Sequence, residues 1–286
     1  MQTVHDHDSL KNALTAMRAD GASLALVPTM GALHAGHMAL VEAAKQQADR
    51  VAVSIFVNPT QFGPNEDLDA YPRQLAEDSA LLKEAGVDLL WAPTAEAMYP
   101  DGFETVIRVP DISLGLCGGS RPGHFDGVAT VVCKLLNQIG PDIALFGEKD
   151  YQQLAIIRRM VRDLDMTPQI VGVSTVRDDD GLALSSRNAY LTPDERQRAT
   201  TLPNAIREAI AAIEAGCEIA VALQLLIRRL SEADFDPIDY AEIRNADTLA
   251  PIMGEKIENG PIAARLLVAA RLGKTRLIDN WPLMVP

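Results

Sequence analysis

The residues best suited to chemistry lie between Pro28 and His37, in the run Pro-Thr-Met-Gly-Ala-Leu-His-Ala-Gly-His. His34 and His37 stand three residues apart, so on a helix both meet one ligand. An apolar stretch from Ser23 to Val27 leads into the run, and a helical pattern from Gly36 to Ala48 leaves it. The positive end of such a helix favours an anion. Gly31 and Gly36 carry no side chain where a nucleotide would approach the main chain. Together these features describe a phosphate site without a P-loop lysine. Taken in isolation, His-x-x-His also reads as a metal pair or as plain surface histidines. Zinc requires a third ligand at helical or loop spacing. The chain has neither HExxH nor CxxC, and His5, His7 and His124 complete no ligand set.

Three further clusters follow strand-like runs. Phe56 to Gly63 offers two neutral amides, Asn58 and Gln61, which suit the hydroxyls and carboxylate of a small polar substrate. Phe146 to Gln153 opens a helix with Gly147, Glu148, Lys149 and Asp150. Lys149 is a compact cation at a helix start, where the dipole disfavours it and an anionic ligand would account for it. Asp150 can accept from a ribose hydroxyl, and Gln153 falls one turn later on the same side. Leu182 to Asn188 carries Ser185, Ser186 and Arg187, a set suited to clamping a triphosphate. A Gly-rich basic segment, Gly118 to Phe125 with Arg121, reads as a lid or a long turn. Each cluster alone also reads as a turn, a charged helix start or a solvated loop; their shared place at strand ends joins them.

The elements that position these residues alternate. Helices are expected over Asp8–Ala19, Gly36–Ala48, Arg73–Ala85, Gly127–Ile139 and Asp150–Leu164. Strands are expected over Ser23–Val27, Val51–Val57, Val87–Trp91, Asp142–Phe146 and Gln169–Val173. Strands apolar on both faces, alternating with helices, imply a parallel sheet covered by helices, with ligands beyond the carboxyl ends of its strands. After about residue 175 the texture changes. Thr192-Pro193 starts a helix, Glu218–Glu232 forms another, and Tyr240–Arg244, Ala264–Ala270 and Arg276–Asn280 read as a small antiparallel sheet. This gives two expected domains, 1–175 for catalysis and 176–286 as a smaller α+β C-terminal domain.

The chain has 286 residues, 48% hydrophobic and 23% charged, which fits a soluble globular protein with a substantial core. A formal net charge of -13 argues against a broad nucleic-acid footprint, while leaving room for a small anionic substrate held by a few local cations. Cys117, Cys133 and Cys217 show no motif spacing, as expected of structural thiols in a reducing compartment. The acidic N-terminus does not resemble a signal peptide, and apolar runs are strand-sized, so a cytoplasmic protein without membrane contact is expected.

PTMGALHAGH at 28–37, FVNPTQFG at 56–63, YPR at 71–73, RPGHF at 121–125, FGEKDYQQ at 146–153 and DGLALSSRN at 180–188 resemble, in order, the motifs of the pantothenate synthetase family. These enzymes are pantoate–β-alanine ligases of the HIGH nucleotidylyltransferase superfamily. The resemblance runs along essentially the whole chain. It implies a Rossmann-like parallel sheet covered by helices, with the smaller C-terminal domain closing over the active site, and a homodimer. It implies ATP-dependent joining of pantoate to β-alanine through pantoyl adenylate, with AMP and pyrophosphate released. By that resemblance Met30, Gly31, Ala32, Leu33, His34, Ala35, Gly36 and His37 bind ATP, with His37 as proton donor. Gly147, Glu148, Lys149, Asp150, Val176, Leu184, Ser185, Ser186 and Arg187 complete the ATP site. Gln61 and Gln153 hold pantoate, Gln61 also serves β-alanine, and Asn58 and Arg121 assist. His34, His37, Lys149 and Arg187 supply charge or donors at the reacting phosphates, and Mg²⁺ bridges phosphate oxygens. Glu77 and Asp78 are candidate metal ligands on a helix, where a solvated face is the more ordinary role.

Other readings share parts of this chemistry. A different HIGH-motif nucleotidylyltransferase would keep the nucleotide on its product, and the paired Gln61 and Gln153 favour a small hydroxy acid instead. An aminoacyl-tRNA synthetase would need a basic tRNA surface, which the acidic balance disfavours. A non-catalytic nucleotide binder has no use for the full His, Lys and Arg set. Two departures from the family pattern, Asp126 after RPGHF and the acidic run Asp178-Asp179-Asp180, remove no functional residue.

Overall fold

The computed structural model describes residues 1–63, 68–252 and 262–285. The elements run β1 (Gln2–Val4), α1 (His7–Met17), β2 (Leu24–Thr29), α2 (Ala35–Lys45), β3 (Arg50–Ile55), α3 (Leu75–Glu84), β4 (Leu89–Trp91) and α4 (Ala95–Met98). They continue through α5 (Leu116–Ser120), α6 (His124–Ile139), β5 (Ile143–Gly147), α7 (Tyr151–Asp163) and β6 (Gln169–Val173). The rest comprises α8 (Pro193–Ala199), α9 (Thr201–Glu214), α10 (Ile219–Glu232), β7 (Phe235–Asn245), β8 (Ile262–Leu272) and β9 (Thr275–Val285).

Two compact units result. The first comprises 1–113, 121–148 and 156–174; the second comprises 114–120, 149–155 and 175–286. Within the first, the described strands form one parallel sheet in the order β1-β4-β3-β2-β5-β6. The chain reverses its direction of growth between β2 and β5, and the crevice beyond such neighbouring strand ends is where open α/β sheets bind ligands. The central strands are apolar on both faces because helices cover both. Ala25, Val27, Val51, Val53, Leu90 and Leu145 pack with Leu40, Val41 and Ala44 of α2 and Leu82 of α3. Each large aliphatic side chain so buried contributes about 1.5–3 kcal/mol. Pro28 lies in the central strand β2, yet its missing N–H costs no ladder bond there. The β5 register ends at Leu26, so Pro28 pairs with β3 alone.

In the second unit, β7, β8 and β9 form an antiparallel sheet of 11-residue strands. Leu266, Val268, Ala270 and Leu277 pack against Ala199, Leu202, Ile206, Leu226 and Leu230 of the neighbouring helices. The α/β class with a small α+β C-terminal portion is as the sequence implies, with local differences: the short helices α4 and α5 fall outside the expected elements, and α5 overlaps the Gly118–Phe125 segment expected as a lid or long turn. β1 falls outside the expected elements, because only Val4 of its three residues is buried. The helix beginning at Pro193 stops at Ala199, and α9 starts afresh at Thr201. The restart puts Pro203 in a first turn, where its missing N–H has no intrahelical partner to lose. The antiparallel strands also extend well past their apolar centres.

Candidate active site

In the first unit, β2 delivers the His-x-Gly-His run through a tight turn. Gly31 adopts φ +82° and Ala32 φ +52°. That conformation turns successive N–H groups toward one anion, and the anion is the Asp78 carboxylate. Its Oδ2 accepts from the Ala32 N–H at 2.8 Å and its Oδ1 from the Leu33 N–H at 2.8 Å. Gln74 Nε2 donates to the same Oδ1 at 3.3 Å. Gly31 fits this turn for two reasons: its positive φ, and a Cβ position only 2.9 Å from Asp78 Oδ2. This corrects the expectation for Asp78. It is fully buried on α3, not on a solvated face, and both its oxygens are engaged by main chain, so it is not placed as a metal ligand. Glu77 beside it is exposed.

α2 begins at this turn. His34 is its N-cap, and its Nδ1 accepts the Gly36 N–H at 3.1 Å. His37 Nδ1 in turn accepts the His34 N–H at 3.3 Å, a reciprocal capping box built from two imidazoles whose centroids lie 4.2 Å apart. An Nδ1 that accepts carries no proton, so each neutral ring bears its proton on Nε2.

The amide cluster follows β3. Asn58 is almost wholly buried and caps the Pro59–Gln61 turn. Its Nδ2 donates to Gln61 Oε1 at 3.1 Å and to the Gly127 carbonyl at 3.2 Å. Its Oδ1 accepts from Thr60 Oγ1 at 2.9 Å and Tyr99 Oη at 2.8 Å. With its polar atoms engaged inside the protein, Asn58 serves to orient Gln61. Gln61 Nε2 donates to Met30 Sδ at 3.1 Å, a weak thioether acceptor that a carboxylate or hydroxyl would outmatch. Gly127 lets α6 approach this turn, since a Cβ there would stand 2.4 Å from the Thr60 carbonyl oxygen.

His124, which completes no ligand set in the sequence, holds the same turn. Its Nδ1 donates to the Gln61 carbonyl at 2.8 Å, and its Nε2 lies 2.9 Å from Arg121 Nη1. A guanidinium only donates, so Nε2 accepts and the proton resides on Nδ1. Arg121 Nη2 also reaches the Gln61 carbonyl, at 3.5 Å. Asp126 pairs with Arg108 at 2.9 Å.

In the second unit, Lys149 and Asp150 sit in the turn that opens α7, with Lys149 Nζ 3.5 Å from Asp150 Oδ2. Gln153 is half-buried on the first turn of α7. Its neighbour Gln152 is buried and accepts the Cys117 N–H at 3.0 Å, strapping α5 to α7. Val176 and Leu184 face each other, the Leu184 N–H donating to the Val176 carbonyl at 3.0 Å. Ser185 caps the following turn by accepting the Arg187 N–H at 3.3 Å. The acidic run is anchored by α8: Arg196 donates to Asp178 at 2.8 Å and to Asp180 at 2.7 Å. The Arg196 hydrogen bond, chiefly, holds the Asp180 carboxyl below its ordinary range. Among the described residues no three His, Cys, Asp or Glu side chains gather as a metal cage, and no helix is long and apolar enough to cross a membrane.

The family model described as Pantoate-beta-alanine ligase matches residues 2–282. A pantothenate synthetase of Novosphingobium aromaticivorans is 59% identical over 284 residues, covering 98% of each chain. One of Rhizorhabdus wittichii is 60% identical over 280 residues, again covering 98% of each. The crystal structure of pantothenate synthetase from Thermus thermophilus superposes with a TM-score of 0.91 at 47% identity, covering 98% of this chain and 99% of that one. A pantoate-beta-alanine ligase from Francisella tularensis, complexed with beta-gamma ATP and beta-alanine, gives a TM-score of 0.79 at 35% identity, covering 98% and 97%.

Proposed function

Because the chain belongs to the pantoate–β-alanine ligase family, whose members join pantoate to β-alanine with ATP, we propose that the residues described above carry the two steps of that reaction here. In the first step a pantoate carboxylate oxygen attacks the α-phosphorus of ATP, and pyrophosphate leaves. In the second the amine of β-alanine attacks the acyl carbon of pantoyl adenylate, the C–N bond forms, and AMP leaves with the acyl C–O electron pair.

The first step needs positioning and charge neutralisation more than covalent chemistry. Met30 to His37 meet the nucleotide, with the Nε2–H groups of His34 and His37 donating to phosphate oxygens and His37 as the proton donor. Lys149 and Arg187 neutralise charge that develops on the leaving pyrophosphate. Gly147, Glu148, Asp150, Val176, Leu184, Ser185 and Ser186 complete the nucleotide contacts. Gln61 and Gln153 bind pantoate through their amides, Gln61 also meets β-alanine, and Arg121 and Asn58 support Gln61. The observation that carries this reading is the imidazole capping box, which fixes both rings in the tautomer that donates from Nε2.

The family uses ATP, and a divalent cation with it; we infer Mg²⁺. The described residues build no cage for such an ion, and Asp78 has both oxygens on main-chain N–H groups. Mg²⁺ keeps several waters and prefers substrate phosphates, so with ATP bound it would supply charge neutralisation on the triphosphate. A homodimer and a cytoplasmic setting are further inferences, from the family resemblance and the sparse free cysteines. Sedimentation of the purified chain tests the dimer.

Isotope exchange between pyrophosphate and ATP tests the chemistry. It should require pantoate, and addition of β-alanine should yield pantothenate and AMP. Exchange that runs equally without pantoate, or ADP as product, would overturn the adenylate mechanism.

A further inference from the structure

Asp150 is flanked by two residues that are both gripped by the antiparallel sheet of their own unit. On one side Asn280 of β9 donates from Nδ2 to the main-chain carbonyl of Lys149 at 2.9 Å. On the other, the Arg265 guanidinium of β8 stacks 3.9 Å over the ring of Tyr151, whose hydroxyl donates to the Ala246 carbonyl at 2.9 Å. The two grips are joined, because Arg265 Nη1 donates to Asn280 Oδ1. Leu267 is the register partner of Asn280 and Pro282 that of Arg265, so the two meet diagonally across the β8–β9 ladder.

This arrangement is costly on folding grounds alone. Arg265 and Asn280 are 7% and 4% exposed, beside buried aliphatic residues of the same strands such as Ala264, Leu266 and Leu267. A buried guanidinium or amide is tolerated only when fully hydrogen-bonded, and an apolar pair of similar volume is often no less stable. A second support lies next to it. Asp279, 2% exposed, accepts two hydrogen bonds from Arg177, at 2.7 and 2.8 Å, and also accepts the Asn280 N–H at 2.7 Å. Arg177 itself stacks 4.2 Å over Trp281. Asn280 is therefore held through its backbone by the Arg177–Asp279 pair and through its side chain by Arg265, and from that position its amide donates to the Lys149 carbonyl.

We propose that Asn280, oriented by Arg265, is a positioning residue for adenylate formation: it fixes the main chain at Lys149 and hence the path of the lysine side chain toward the phosphates. This rests on the phosphate role proposed for Lys149. A flexible four-carbon stem aims its charge only as well as its backbone is fixed, and small displacements of a preorganised group cost large factors in rate.

Asn280→Asp removes the donor to the Lys149 carbonyl while keeping an oxygen for Arg265, and Asn280→Ala, measured with it, removes the donor without adding a charge beside Asp279. With ATP and pantoate saturating, single-turnover adenylate formation should slow roughly tenfold to a hundredfold. The reaction of supplied pantoyl adenylate with β-alanine should slow far less. In a Lys149→Ala background the same substitution should have no further effect. If Asn280→Asp lowers the melting temperature too far for rates to be read, Asn280→Ala carries the same expectations. A folded Asn280 variant with an undiminished first step overturns the proposal, as does an equal loss with and without Lys149. A Lys149→Ala enzyme of full activity would instead remove the phosphate role of Lys149, and the tether's role with it.

Discussion

Asp78 holds Ala32: the fully buried carboxylate accepts the alanine N–H at 2.8 Å and, through its other oxygen, the N–H of Leu33. The turn that carries His34 and His37 is thus built around an internal anion. Asp78→Asn replaces one acceptor by a donor and sets it against a main-chain N–H. The expected cost is about 1–3 kcal/mol for the unsatisfied buried group, read as a lower denaturant midpoint at unchanged m-value. Adenylate formation should fall too, because both imidazoles hang from this turn. Full stability and full activity in the variant would show that the carboxylate is dispensable there.

Gln153→Ala should weaken pantoate use and leave ATP binding nearly intact. Its amide lies on the first turn of α7, and the family resemblance gives it to the acid. Separate titrations with each ligand decide this. Loss of ATP affinity with pantoate affinity unchanged would reverse the assignment.

The fold was legible because its signals are repeated: apolar runs such as Val51 to Val57 alternate with helical periods, and each agrees with the next. Residues whose partners are distant or are main chain were not legible. Asp78 lies in the first turn of a helix, where an acid ordinarily serves the dipole; nothing nearby announces two N–H groups 45 and 46 residues away. His124 has as its partner a carbonyl 63 residues upstream, so no ligand spacing exists to find. Arg265 stands in a run read as an apolar strand, and a lone charge there suggests an exposed position. Its burial follows from Tyr151 and Asn280, which only the folded chain brings to it. The His-x-Gly-His run, by contrast, is local, and its capping box forms between near neighbours.

His124 is fixed as the Nδ1–H tautomer by Arg121 on one side and the Gln61 carbonyl on the other. Asn places a donor near the Nδ1 position, so His124→Asn should retain more function than His124→Ala. The alanine variant should raise the KM for pantoate about 5–30-fold, the equivalent of about 1–2 kcal/mol for a lost buried hydrogen bond. Steady-state kinetics with each substrate varied in turn measures it. Indistinguishable Asn and Ala variants would argue that volume, and not the donor, matters at this position.

Asp180 makes a pH prediction. Arg196 keeps its folded pKa below the ordinary value of 3.8. A lowered carboxyl stabilises the fold above its unfolded pKa and loses that contribution as pH falls through the folded value. Its side chain is 42% exposed, so solvent screening keeps the contribution at about 0.2–1 kcal/mol. Unfolding of the parent and of Asp180→Asn should therefore differ at pH 7, and the gap should narrow as the pH falls below 3.8. A gap that widens with acid would have the wrong sign for this pair.

Lys149→Ala separates catalysis from stability. The Lys149–Asp150 ion pair is 3.5 Å long and its carboxylate is 47% exposed, so its loss should cost no more than about 1 kcal/mol of folding free energy. The main-chain tether from Asn280 to the residue 149 carbonyl survives truncation of the side chain. Removal of one preorganised charge at the phosphates should slow adenylate formation by about 10²–10³, which is about 3–4 kcal/mol at 1.36 kcal/mol per tenfold. The step from supplied pantoyl adenylate should be less affected, because no pyrophosphate departs in it. Single-turnover measurement of both steps, with a melting curve on the same sample, distinguishes the cases. A folded variant with both steps intact would remove Lys149 from the chemistry. Equal slowing of both steps would assign it to holding AMP, which is common to the two, in place of the departing pyrophosphate.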